Sequence, residues 1–349
     1  MTLHIGVDAW NLPGDRRGIG RYTRAILRRW AEVDQRRVRT TLLVPEWPAF
    51  LHATHYRRHG GLPRAAVAHR RAAHASIDGV WYPWNGMSWI ASRPAIATLH
   101  DASLFALPPA DPDVREREQR PFRQAALHAK HFITDSHFSK TELTKHLAIE
   151  PDRIDVVHLG VDAALATGAP ANFDGIKRYV LFVGEVEPRK GLDTLLQAVS
   201  RMPAERRAGI ALVVAGRFEP ESLTTQPDVR IIALGHVHDD RLASLYAGAA
   251  ALVYPSRYEG FGLPVLEAMA AGAPVVASDA GGIPEAGGDA ALYFKSGDAA
   301  SLAAVLERVL TNDELAAELR ERGKARAAQM SWDKTAEETL SVFERVLRT

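Results

Sequence analysis

Ser256-Arg257-Tyr258-Glu259-Gly260-Phe261-Gly262-Leu263-Pro264-Val265-Leu266-Glu267 joins two carboxylates to a glycine-rich turn at the mouth of a helix. Before it, the apolar run Ala250 to Tyr254 is closed by Pro255; after it, Pro264 opens Val265 to Ala271, which Gly272 ends. The order reads strand, loop, helix, stop. Pro264 suits the first helical position, where a missing N–H costs nothing, so the amides of Phe261, Gly262 and Leu263 can face an anion at the positive end of the helix dipole. Glu259 stands at the loop entrance and Glu267 one helical turn in, and both can accept hydrogen bonds from the hydroxyl groups of a sugar or a ribose. The same residues also suit an ordinary helix start with acids placed for the dipole, and the stretch alone leaves both readings open.

A chain of 349 residues is long enough for two domains with separate cores. Its 46% apolar and 24% charged residues are those of a globular protein, and no apolar run reaches the length needed to cross a bilayer. The first residues enter a strand pattern with no basic flank or cleavage site, so no signal peptide is expected. With no cysteine, disulfides, thiolate catalysis and cysteine-held metals are excluded, which fits a cytoplasmic protein. The net charge of +1 hides an asymmetry: residues 1–165 hold 23 Lys and Arg against 17 Asp and Glu, the remainder 20 against 25. The basic half suits an anionic partner or simply an arginine-rich solvated surface. Balanced overall charge and an aromatic cluster without interleaved basic residues argue against nucleic acid.

Strand and helix patterns alternate through both halves. The first runs Leu3 to Asp8, helix Arg21 to Glu32, Thr40 to Val44, Gly79 to Tyr82, Ala95 to Leu99, helix Arg115 to Ala129, Lys130 to Asp135, helix Ser139 to Leu147 and Ile154 to Val157. Small residues from Ala163 to Lys177 read as a linker. The second half runs Tyr179 to Val183, helix Gly191 to Ser200, Ile210 to Ala215, Val229 to Leu234, helix Asp239 to Gly248, Ala251 to Tyr254, helix Pro264 to Ala271 and Val275 to Ala277, with helical patterns over Ala299 to Gln329 and Ser331 to Leu347. Such alternation predicts two parallel sheets wrapped by helices, with ligands at the carboxyl ends of their strands.

Several residues fall at such ends. His100-Asp101 follows Ala95 to Leu99, so the histidine can exchange hydrogen bonds with a substrate hydroxyl while Asp101 orients its ring; a purely structural pair is the alternative. Glu187-Pro188-Arg189-Lys190-Gly191 follows the first strand of the second half, and two cations at a helix start favour a bound anion such as a diphosphate. Ala280 to Glu285 repeats the loop-into-helix pattern and can wall the same site. Gly18 and Gly20 lie between the first strand and first helix, where backbone can approach a phosphate or make a plain tight turn. Trp84 and Trp89 belong to an aromatic cluster suited either to stacking on an acceptor sugar or to core packing. No Asp-x-Asp pair follows a buried strand, so charge neutralisation without a metal or other cofactor is expected.

With the Glu-x7-Glu frame of Glu259 and Glu267, the Glu-Pro-Arg-Lys-Gly run at 187 to 191, His100-Asp101 and the Gly-Ile-Gly-Arg-Tyr run at 18 to 22, the chain resembles the retaining glycosyltransferases of family four, closest in flavour to bacterial mannosyltransferases of surface polysaccharides. The resemblance also takes in Asp135 to Lys140, His158 to Asp162, Ser278 to Glu285 and Ser331 to Lys334, nearly the whole length. It implies an α/β chain of GT-B type, two doubly wound Rossmann-like domains facing an interdomain cleft: an acceptor domain over 1–168, a nucleotide-sugar domain over 175–330 and a helix over 331–349 crossing back to the first.

By the same resemblance Glu267 binds the donor ribose, Glu259, Gly260, Phe261, Gly262 and Leu263 the donor sugar and phosphates, Arg189 and Lys190 the diphosphate, and His100 the transferred sugar, while the Gly18 to Gly20 loop closes over the donor. Where many members carry a basic residue after the glycine equivalent to Gly184, this chain has Glu185. The implied reaction moves a hexose, foremost mannose from GDP-mannose, onto a saccharide or polyprenyl-diphosphate-linked saccharide, with same-face transfer and the leaving diphosphate taking the acceptor proton. A UDP-sugar or GDP-rhamnose donor, a sugar-nucleotide 2-epimerase and a non-catalytic nucleotide-sugar binder are the alternatives. Gly20 to Trp30 and Trp47 to His74 are candidates for peripheral contact with anionic lipid on the inner face of the cell membrane.

Overall fold

The computed structural model describes residues 2–15, 18–32, 36–45, 55–57, 61–62, 65–71, 76–218 and 229–348. It divides into two compact units, one of residues up to Leu159 together with those from Trp332 onward, the other Gly160–Ser331.

The first unit runs β1 (Leu3–Asp8), α1 (Gly18–Glu32), β2 (Val38–Val44), β3 (Ala66–His69), β4 (Gly79–Tyr82), β5 (Ala95–Thr98), α2 (Ser103–Ala106), α3 (Pro112–His128), β6 (His131–Thr134), α4 (His137–Leu147) and β7 (Ile154–Val156). The strands pair in parallel in the order β3-β2-β1-β4-β5-β6-β7. All residues of β4, β5 and β6 are buried, as expected of central strands covered on both faces.

The second unit runs β8 (Arg178–Val183), α5 (Leu192–Arg201), α6 (Ala204–Arg207), β9 (Ile210–Ala215), β10 (Arg230–Gly235), α7 (Asp239–Gly248), β11 (Ala251–Tyr254), α8 (Leu263–Ala270), β12 (Val275–Ser278), α9 (Ile283–Gly287), β13 (Leu292–Phe294), α10 (Ala299–Thr311) and α11 (Asp313–Ala328). Its parallel order is β10-β9-β8-β11-β12-β13. The strand order reverses between β8 and β11, and between β1 and β4 in the first unit. At such a switch the loops leaving two neighbouring strands run to opposite sides and open a crevice. In the second unit those loops carry Arg189-Lys190 and Ser256 to Gly262.

The last helix, α12 (Trp332–Arg348), belongs to the first unit and lies on α1. Trp332, Ala336, Leu340, Phe343 and Val346 form its buried face. The Trp30 indole donates to the Ala336 carbonyl at 3.0 Å, and its ring meets those of Trp81 and Phe343 at 5.3 and 5.7 Å. Arg37 grips Glu337 and Glu344 from outside, at 2.7 and 3.2 Å.

Several sequence-based bounds shift. The pattern read as one helix over Ala299 to Gln329 is two, because Asn312 takes an extended backbone and its side chain caps α11 by accepting from Leu315 N–H at 2.9 Å. The first helix opens at Gly18, three residues before Arg21. Trp332→Ala should leave a large cavity between α12 and α1 and cost about 4 kcal/mol. Urea unfolding of the full chain checks this, and a loss below about 1 kcal/mol would mean that α12 is not part of that core.

Candidate active site

β11 carries its chain from a fully buried strand into Pro255 and Ser256, and Glu259 follows at 8% exposure. A carboxylate so buried stays ionised only where donors and cations meet it. Glu259 Oε1 accepts from Tyr254 Oη at 2.8 Å, from Ser256 Oγ at 3.0 Å and from Lys190 Nζ; Oε2 accepts from Arg189 Nη1 at 3.3 Å. Burial pushes the carboxyl up, but the Lys190 and Arg189 cations outweigh it and hold Glu259 below the ordinary 4.5. Burial and the same carboxylate push the Tyr254 phenol far the other way, so it stays a donor.

The two cations come from a 3-10 turn over Pro188–Lys190, between β8 and α5. Gly191 ends it at φ +69°, and a Cβ there would lie 2.1 Å from the Pro255 carbonyl oxygen. Only glycine lets this turn close against the β11 loop. Arg189 also donates to the Tyr258 carbonyl at 3.1 Å and to Glu187 Oε1 at 2.7 Å. Arg257 ties the same loops by donating to the Pro188 carbonyl at 2.5 Å and to Asp193 Oδ2 at 2.6 Å. From the other side the loop after β12 backs Glu259, since Gly282 N–H donates to its carbonyl at 2.9 Å. At Gly281, φ +62°, a Cβ would lie 2.3 Å from that oxygen.

Gly262, at φ +107°, starts α8, so Leu263 is its first residue and Pro264 its second. Glu267 is buried on α8 and accepts from Tyr246 Oη at 2.9 Å. The second unit thus gathers an ionised carboxylate, two cations and a helix amino end on loops of neighbouring strands, an acceptor for hydroxyls beside donors for negative charge.

In the first unit, β5 delivers His100 next to β6, which delivers Asp135. His100 Nδ1 lies 2.7 Å from Asp135 Oδ2 and Nε2 lies 3.2 Å from the Pro83 carbonyl oxygen. Its backbone N–H donates to Asn85 Oδ1 at 2.7 Å, its carbonyl accepts from Ser139 Oγ at 2.9 Å, and the Tyr22 ring meets the imidazole perpendicularly at 4.9 Å.

Residues 16–165 match the family described as Glycosyltransferase Family 4, and residues 169–326 that described as Glycosyl transferases group 1. The chain is 30% identical over 300 residues to the O-antigen chain mannosyltransferase B of Escherichia coli, a span of 79% of this chain and 77% of that protein. The chain belongs to the family-four glycosyltransferases. The glycosyltransferase is also 33% identical over 235 residues to the MMP alpha-(1->4)-mannosyltransferase of Mycolicibacterium hassiacum, covering 64% of this chain and 56% of that protein. Its fold is that of the Anabaena protein HepE in complex with UDP and glucose, at a TM-score of 0.72 over 99% of this chain and 100% of that one, with 18% identity. Both of its sheets are those of Rossmann-like α/β domains in a GT-B glycosyltransferase.

The residues singled out in its sequence divide. Glu259, Arg189 and Lys190 come together in one network. Asp101 does not orient His100; its Oδ1 instead accepts from the N–H of Ser103, the first residue of α2, at 2.8 Å, and Asp135 takes the histidine. Trp84 is not a stacking surface, for it is 9% exposed and its indole donates to the Asp8 carbonyl at 2.6 Å. Trp89 is half-buried, with the Arg70 guanidinium 5.2 Å from its ring centre. Gly18 and Gly20 are not a loop but the first turn of α1, and a Cβ on Gly20 would lie 1.9 Å from the Asp15 carbonyl oxygen. Nor does α1 offer lipid an apolar face, because Tyr22, Ile26, Leu27 and Trp30 are buried. Much of Trp47 to His74 lies outside the described residues. Among the described residues no helix is long and apolar enough to cross a membrane.

The sequence reading missed Asp135, Tyr254, Ser256 and Tyr246 as partners. Tyr254 lies just before the quoted stretch and Ser256 opens it, and they were legible only as strand end and loop.

Glu259→Gln keeps the shape and removes the charge shared by Lys190 and Arg189, which should cost on the order of 3 kcal/mol at neutral pH. Because the folded carboxyl titrates below its ordinary 4.5, its contribution is complete above that value and fades as pH falls through the folded one. Urea unfolding at a series of pH values should therefore show a shallower acid decline for the variant than for the wild type; parallel curves would remove Glu259 from the charge network.

Proposed function

We propose that this glycosyltransferase moves mannose from GDP-mannose onto a saccharide acceptor carried on polyprenyl diphosphate, with retention of anomeric configuration, in the synthesis of a cell-surface polysaccharide. The observation that carries the nucleotide-sugar part is the Glu259–Lys190–Arg189 network on the two loops flanking the β8/β11 switch. Mannose and polysaccharide are supported by the 30% identity to an O-antigen mannosyltransferase across most of both chains.

Lys190 and Arg189 neutralise the diphosphate, the amino end of α8 adds its dipole, and Glu259 accepts from hydroxyls of the transferred sugar. Glu267 accepts from the ribose. His100, in the other domain, contacts the transferred sugar. As the bond from the sugar C1 to the phosphate oxygen breaks, the acceptor oxygen forms its bond to C1 on the same face. The acceptor proton passes to the departing phosphate oxygen. No covalent enzyme intermediate is required, and the rate comes from positioning and from stabilising the charge that develops on the leaving group.

Incubation of the full chain with GDP-mannose, UDP-glucose or UDP-galactose, with and without a mannosyl lipid-linked acceptor, separates the possibilities. The expected result is turnover of GDP-mannose that rises with acceptor and yields an α-linked product by NMR. Lys190→Ala should lower kcat/KM about a hundredfold. Turnover of UDP-sugars alone would overturn the donor assignment. Release of a free epimerised nucleotide sugar would overturn transfer itself.

A further inference from the structure

The surroundings of His100 contain more information than its position. An imidazole has two ring nitrogens, and when neutral only one carries a hydrogen. Nδ1 of His100 faces the Asp135 carboxylate at 2.7 Å and Nε2 faces the Pro83 carbonyl at 3.2 Å. A carbonyl oxygen can only accept, and so can an ionised carboxylate. A neutral ring beside an ionised Asp135 would set one nitrogen lone pair against an oxygen lone pair in a site 8% exposed for His100 and 3% for Asp135. We infer that His100 is held as an imidazolium, donating from both ring nitrogens, with Asp135 as the residue that positions and charges it. It therefore meets the transferred sugar or its leaving group as a fixed hydrogen-bond donor and not as a base.

The remaining groups around the ring agree. Asp101, next in the chain, adds negative charge while its carboxylate is used on Ser103 N–H, and Tyr22 on α1 offers an aromatic ring. Burial pushes the Asp135 carboxyl above its ordinary 3.8, against which His100 first and then His158, after β7, favour its ionised form. Burial works against the charged ring, yet Asp135 outweighs it and the His100 value stands above the ordinary 6.5. The contact to Asp135 is the shorter of the two, so the ring is anchored at Nδ1. The longer contact leaves Nε2–H as the donor that a ligand oxygen can share with Pro83. Backbone bonds to Asn85 and Ser139 fix the ring's base, so the donor is aimed before any ligand arrives. No proton moves in this role.

The protonation state is independent of the donor sugar; only the catalytic half of the inference rests on the transfer reaction proposed above. The test is 15N-edited NMR of the full chain with labelled histidines, His100 being identified by its absence in His100→Gln. Both ring nitrogens should report as protonated from about pH 6 to pH 8, where an ordinary histidine becomes neutral. A neutral tautomer with one bare nitrogen at about pH 7 would overturn the inference. In kinetics, Asp135→Asn should lower kcat about a hundredfold, leave donor KM near that of the wild type and move the alkaline loss of activity to lower pH. Asp135→Glu should restore part of the rate. An alkaline limb that stays where it was would equally contradict the role of Asp135, and if Asp135→Asn fails to fold, the wild-type spectrum decides alone.

Discussion

Burying the charge of Glu259 is the constraint from which the second domain's site follows. A carboxylate at the end of β11 cannot remain ionised at 8% exposure unless cations reach it, and they must come from the loop of the neighbouring strand. That requirement brings the Pro188–Lys190 turn against Pro255, where a side chain at position 191 would not fit. It likewise draws the loop after β12 beneath Glu259, where a side chain at position 281 would not fit. Tyr254 and Ser256 complete the shell. An ion pair with several supporting hydrogen bonds seldom adds much net stability over an apolar packing of the same volume, so its presence in this crevice is better explained by a ligand that uses it.

The reversal of strand order sets this local requirement at the mouth of a crevice. Between β8 and β11 the loops diverge, and they carry Arg189, Lys190 and Glu259. In the first domain β5 and β6 are neighbours, which is why His100 and Asp135 meet although they are far apart in sequence. The two sites share a device: each puts a charged group at a strand end and fixes it with a buried partner of opposite sign. In one the partners are side chains that a diphosphate can engage; in the other the partner sets the charge of the histidine.

Local chemistry decided what could be read without the structure. The strands of both sheets were legible because central parallel strands are short apolar runs with turn residues at their ends, and β1, β4, β9 and β11 fall where those runs fall. β3 and β13 escaped notice, being four and three residues long and mostly only half-buried. Glu259, Arg189 and Lys190 were recognisable from acid, base and glycine at loop positions. The histidine's partner was not, because Asp101 is adjacent in sequence while Asp135 is adjacent only in the sheet. Trp84 stayed undecided for a similar reason: an indole between strands looks the same in sequence whether it faces a sugar or the Asp8 carbonyl.

The most direct test of the central claim, that the Glu259–Lys190–Arg189 network is the donor's seat, is a crystal structure of the full chain with a nucleoside diphosphate sugar bound. The account expects the diphosphate within hydrogen-bonding distance of Lys190 Nζ, at the amino end of α8, with Glu259 facing the sugar. A nucleotide seated elsewhere, with the Lys190 to Glu259 contact intact and remote from it, would contradict the account.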